Sequence, residues 1–152
     1  MQTGNSVPQL VAALPILPYS CVTMYGAWVV APSEFVSDVI IGITDGSVST
    51  ASGTYHALPG EPVKFQSGQI VIVRLQKTLD PGTNNFTCQR GAPLLVSRGT
   101  GGAVTGDPWI PNSPSEYVPI QLIAFESYSL EDFTDMPLVY AFRSAEHVPS
   151  ST

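Results

Sequence analysis

The side chains most often used for catalysis or metal binding are scarce here: two histidines, His56 and His147, and two cysteines, Cys21 and Cys88. A two-histidine metal site is not expected, because His147 stands beside Pro149 in the terminal stretch. Catalysis through His56 needs a nucleophile and an orienting carboxylate, yet the chain has no G-x-S-x-G elbow and neither cysteine carries a local nucleophile signature. Asp38, Asp45, Asp107, Glu126, Glu131, Asp132 and Asp135 read as solvated turn acids, and the last three do not follow the spacing of a calcium loop. Residues 99–106 are glycine-rich but run into Asp107-Pro108, without the Lys-Ser/Thr pair or the third glycine that phosphate cradling requires. The expectation is no cofactor, no metal and no enzymatic activity. Trp28 reads as a core strand residue, whereas Trp109 and Ile110, flanked by Pro108 and Pro111 in a loop, read as interface residues.

The elements that position these residues are bounded by composition. A length of 152 residues predicts one domain, and 13 glycines with 14 prolines leave little uninterrupted chain for helices. Hydrophobic residues make up 43% and charged residues only 12%, so the chain is expected to fold around apolar surface and to have much of its charge-poor exterior covered by a partner. The net charge is -6, and Lys64, Arg74, Lys77, Arg90, Arg98 and Arg143 are scattered. Nothing there tracks a phosphate backbone, so nucleic acid is not expected as a partner. No run of eighteen apolar residues exists to span a membrane as a helix, and the apolar stretch 10–17 lacks the basic flank of a secretory signal. One disulfide is possible but not required, and the reading is two reduced, partly buried thiols.

Residues 1–20 read as an extended N-terminal arm, because Pro8, Pro15 and Pro18 interrupt any helix. Val7, Leu10, Val11, Leu14, Ile16 and Leu17 cannot bury one another along such an arm. They must lie on the domain body or on a neighbouring molecule, and they are the candidate partner-binding residues. Residues 21–146 read as a small β-barrel or β-sandwich, and 147–152 as a flexible tail. Residues 21–25 and 27–30 predict strand, bulge, strand around Gly26. Residues 39–43 form a β-branched run, and 93–97 predict another strand. Residues 62–66 and 69–75, joined at Ser67-Gly68, predict a hairpin with both faces of its second strand buried. The runs 118–126 and 138–143 predict an antiparallel pair on either side of an acidic bend at 131–135, and 99–114 predict a long loop.

Three motifs carry a family likeness: Val-Ser-Asp-Val-Ile-Ile-Gly over 36–42, Leu-Pro-Gly-Glu-Pro-Val-Lys-Phe-Gln-Ser-Gly-Gln-Ile-Val-Ile-Val over 58–73, and Ile123-Ala-Phe-Glu with Leu138-Val-Tyr-Ala-Phe. Over residues 27–144 their order resembles the capsid decoration, or cement, proteins of tailed bacteriophages. The resemblance implies a small β-barrel behind an N-terminal arm, sited on the outer capsid surface of the virion after synthesis in the host cytoplasm. It implies binding to the major capsid protein, as a homo-oligomer with a trimer ahead of a dimer. An alternative within the same class of particle is a tail or receptor-binding β module that holds carbohydrate.

Overall fold

A computed structural model describes residues 9–75, 87–97, 101–106, 120–129 and 138–144. Over these residues the fold is all β, with two strongly curled half-barrel sheets and no helix. The first sheet contains β1 (Val11–Ala12), β2 (Cys21–Gly26), β3 (Val29–Pro32) and β4 (Gly42–Ile43), in the order β1-β3-β2-β4. The strands β2 and β3 form an antiparallel hairpin turning at Ala27-Trp28 where the sequence predicts strand, bulge, strand; an irregularity is present, the register shifting between Met24 and Gly26. The β-branched run 39–43 contributes only β4 to the sheet. Before it, the Asp38 carboxylate accepts the amide hydrogens of Glu34 and Phe35 at 2.9 and 3.1 Å and holds the chain in a turn.

The described part of the arm does not stand free. The strand β1 lies parallel to β3, and the Val11, Ala12 and Ala13 amides donate to Trp28, Glu61 and Val30 carbonyls at 3.1, 2.9 and 2.8 Å. Residues 57–66 then bridge both edges of the sheet, at Ile16 with Ala57, Val11 with Pro62 and Thr44 with Phe65. Beneath this strap Ala12, Ile16, Val22, Val30, Ala57 and Val63 form one core cluster.

The second sheet contains β5 (Ile70–Arg74), β7 (Pro93–Val96), β8 (Val104–Thr105), β9 (Leu122–Ala124) and β11 (Leu138–Arg143), in the order β5-β11-β9-β7-β8. A separate pair joins β6 (Thr87–Cys88) to β10 (Tyr128–Ser129). The sheet curls far enough for its two edges to meet at a bridge between Leu75 and Val104. Its inner face buries Val71, Val73, Leu94, Leu122, Val139 and Ala141 with Cys21, Ile40 and Ile43 of the first sheet's side. Adjacent residues of β2 thus serve different cores, Cys21 the shared one and Val22 the strap's, as the two-residue period of a strand dictates.

Polar contacts lock the two sheets together. The Cys21 amide donates to Gly102 O at 2.8 Å, and the Arg74 amide donates to Tyr19 O at 2.9 Å. The buried Arg74 guanidinium donates to Ser20 Oγ at 3.0 Å and Gly101 O at 2.8 Å. The Gln121 side chain accepts the Ile40 amide at 2.6 Å and donates to Asp38 O at 2.9 Å. Gly102 sits at φ +93°, and a Cβ there would collide with the Cys21 backbone.

Several sequence expectations are corrected. The 62–66/69–75 hairpin does not form: 62–66 joins the first sheet's strap, and β5 pairs with β11 from Phe142 opposite Ile70 to Leu138 opposite Arg74. Gly68 at φ +95° does turn the chain back. However, the Gln66 side-chain amide donates to Ile72 O at 2.6 Å and accepts the Ile72 amide at 2.9 Å, occupying the rung a partner strand would use. Nor are both faces of β5 buried, since Ile70 is 48% exposed. Trp28 lies in the β2–β3 turn at φ +64°, half exposed, rather than in a strand core. Part of the expected 99–114 loop is strand β8, which pairs with β7. The pairing of β9 with β11 is antiparallel, as the sequence predicts. Residues 1–8, the acidic bend 131–135 and the tail 147–152 lie outside the described residues.

Candidate functional site

The most polar constellation surrounds His56, whose ring is buried at the inner wall of an open cleft of about 200 Å³. The Lys64 amide donates to Nε2 at 3.0 Å. That nitrogen is therefore an acceptor, the ring proton sits on Nδ1, and Nδ1 donates to Ser47 O at 2.8 Å. Asp45 Oδ1 lies 3.4 Å from Nδ1, and Ser47 Oγ lies 3.3 Å from it. Serine, histidine and aspartate are thus together, a cluster that sequence reasoning missed because no motif links positions 45, 47 and 56.

The arrangement is not a catalytic triad. A triad places the nucleophile on one ring nitrogen and the carboxylate on the other. Here both Ser47 and Asp45 face Nδ1, Nε2 is filled by the main chain, and the Ser47 hydroxyl donates to Asp45 Oδ1 at 2.5 Å. Burial pushes the Asp45 carboxyl up, but the hydroxyl and amide hydrogen bonds from Ser47, with His56 and Lys64 nearby, outweigh it and hold the group below its ordinary value. Glu61 is held low too, by the Leu58 amide at 2.7 Å and the Ser49 hydroxyl at 3.0 Å. These groups fasten the loop 45–58 to the strap.

Other candidate chemistry is equally committed to structure. Cys21 is a free, fully buried thiol, and burial pushes it up to about 12 despite the opposing pull of Arg74 and Arg143. Among the described residues no three His, Cys, Asp or Glu side chains gather to hold a metal, and no helix is long and apolar enough to cross a membrane.

What remains is exposed apolar surface, and among the described residues two groupings on the strands stand out from single exposed side chains such as Leu14, Phe35, Val39 and Ile120. The first is the β2–β3 tip, where Met24, Tyr25 and Trp28 are exposed. Five residues of extended chain separate Cys21 from Gly26, so the tip stands roughly 17 Å along β2 from the junction between the sheets. The second is the outer face of the second sheet. The strand β11 alternates strictly, with Val139 and Ala141 inward and Leu138, Tyr140 and Phe142 outward. Beside them on β5 lie Ile72, opposite Tyr140, and Ile70, opposite Phe142. On the other side the Phe125 ring meets Tyr140 edge to face, with centroids 6.5 Å apart. Sequence alternation marked both sides of β5 as apolar; what it could not show is that, among the described residues, only the inner side meets a packed core.

The candidate arm residues divide. Ile16 is fully buried in its own chain, its amide donating to Ala57 O at 2.9 Å, so the expectation that it binds a partner is corrected: the strap completes its pairing in cis. Leu10, Val11 and Leu17 are half-buried on the domain, and Leu14 is exposed. Val7, Trp109 and Ile110 lie outside the described residues. No protein-family model matches this chain, and no curated protein or solved structure is significantly similar to it.

Proposed function

We propose that this chain is a virion structural protein that binds the outside of the mature phage capsid and stabilises it by bridging subunits of the major capsid protein, working as a homo-oligomer. The observation that carries this reading is the pair of separated, uncharged apolar surfaces, the Met24–Trp28 tip and the outer face of β5, β11 and β9. A homo-oligomer that bridges a lattice needs one surface for its own copies and another for the capsid, and neither surface here contains a group suited to turnover. The work is thermodynamic: a protein that binds the mature lattice in preference to other states stabilises that lattice by mass action. The test compares particles with and without the protein for genome release on heating. Release at higher temperature in proportion to occupancy is expected, and equal release temperatures at full occupancy would sink the reading.

A second reading, a tail or receptor-binding module that holds carbohydrate, draws on the exposed Tyr25 and Trp28 rings, since aromatic faces stack on sugars. Glycan binding that is lost in Trp28→Ala would favour it.

A further inference from the structure

The outer face of the second sheet is specific enough to assign an occupant. We infer that it is the interface between two copies of this chain, packed face to face about a two-fold axis with β11 at the centre. The inference deepens the homo-oligomer part of the proposed function and rests on that reading only for its biological setting.

Three observations select a second copy. The first is electrostatic. Each chain carries a formal charge of -6, so two copies approach most easily through surface that bears no acid. Ile70, Ile72, Phe125, Leu138, Tyr140 and Phe142 carry no charge, and the one charged residue in register with them, Arg74 opposite Leu138, is buried with its guanidinium on Ser20 Oγ and Gly101 O.

The second is area. Ile70, Phe125, Leu138, Tyr140 and Phe142 are 48, 42, 46, 51 and 36% exposed. For side chains of that size this amounts to roughly 500 Å². A standard interface takes about 800 Å² from each partner and is about 60% apolar, so the face supplies the apolar share of one such interface.

The third is the closure of the alternatives on the same sheet. The Gln66 amide fills the Ile72 rung of β5, Tyr19 O takes the Arg74 amide, and the Leu75–Val104 bridge joins β5 to the far side of the curl. Addition of a strand at that edge is blocked, which leaves face-to-face packing, the arrangement of a β-sandwich with sheets about 10 Å apart. A single continuous patch that meets its own copy closes as an isologous pair. The assembly would present two β2–β3 tips, one from each chain, for contacts with separate capsid subunits.

Sedimentation of the full chain, without particles, tests this. Wild type is expected to be a dimer whose association holds or tightens as salt rises, because salt screens the repulsion between acidic copies and no ion pair holds the face. Tyr140→Lys is expected to weaken association at least about 30-fold, the size of a central hot-spot loss, whereas Tyr25→Lys at the tip leaves it unchanged. If Tyr140→Lys does not fold, Tyr140→Ser, which removes the ring without adding charge, carries the same comparison. A monomeric wild type, a trimer, or a dimer indifferent to Tyr140 overturns the inference. A wild-type monomer destabilised by Tyr140→Ser would instead assign the face to another segment of the same chain. A dimer that fails to bind particles would sink the capsid reading alone, and a particle-binding monomer would sink this one alone.

Discussion

The two sheets use similar strands to opposite ends. Around β2 the first sheet has chain on both sides, with the shared core receiving Cys21 and Ile43 and the strap's core receiving Val22 and Val30. The second sheet has chain on its inner side, while its outer side shows Leu138, Tyr140 and Phe142. Both patterns come from the same alternation, and the difference lies in residues 57–66, which cross the first sheet and have no counterpart among the described residues over the second. A strand with two apolar faces calls for either a strap or a partner: the first sheet has its strap, and the second shows the face we assign to a second copy.

The sharpest way to break that contrast is to truncate one apolar side chain on each side of it. Ile16→Ala should cost about 2 to 5 kcal/mol in denaturant unfolding, since Ile16 is fully buried under the strap. Tyr140→Ala, measured at a concentration where the chain is monomeric, should cost less than about 1 kcal/mol. Equal costs would mean the outer face is already covered and the contrast is false.

The strap's own fastening should show the next largest effect. His56→Ala leaves the Lys64 amide and the Ser47 carbonyl without their partner, an expected loss of about 2 to 3 kcal/mol by the same measurement. A loss below about half a kilocalorie would show that the polar node is ornamental to the first sheet. Gln66→Ala, which opens the β5 rung, should cost about 1 to 2 kcal/mol, with faster amide hydrogen exchange at Ile72 as the local readout. Unchanged exchange there would mean that the edge is guarded by something other than the amide.

The smallest effect is in acid. Asp45 and Glu61 have folded pKa values below their ordinary 3.8 and 4.5, so their stabilisation is complete above those ordinary values and is lost as pH falls through the folded ones. Both acids hold the strap or its loop, and both are solvent-screened, so a modest decline in stability confined to strongly acidic pH is expected. An Asp45→Asn chain should decline less over the same window. An identical pH profile in the variant would remove Asp45 from the fastening.

Much of the fold could be read locally. The alternation in 138–143 and the bulge signal at Gly26 each placed a strand where the structure has one, and the late antiparallel pair followed from them. What was not legible was decided at long range. Ser67-Gly68 does make a turn, but whether 62–66 pairs with β5 or with β1 and β4 depends on a Gln66 side chain and on residues fifty positions earlier. Trp28 looked like core because tryptophan is apolar, yet a one-residue shift in register put it in the turn with φ +64°. The cluster at His56 forms only when two loops meet, and its departure from a triad's geometry depends on which ring nitrogen faces the main chain. Of the candidate site, the arm was read as apolar and extended, but its cis partner, the strap, gave no local sign.

Cys21 carries a consequence for handling. Burial holds its thiol far above the ordinary value, so very little thiolate forms at neutral pH, and the thiolate is the form that oxidants and alkylating agents attack. This sulfur is therefore slow to react while the fold is intact. Because it sits where the two curled sheets meet, its modification must wait for them to separate. The rate at which a thiol reagent reaches Cys21 in a Cys88→Ser background thus becomes a clock for that separation, reading the lifetime of the junction rather than the chemistry of the cysteine.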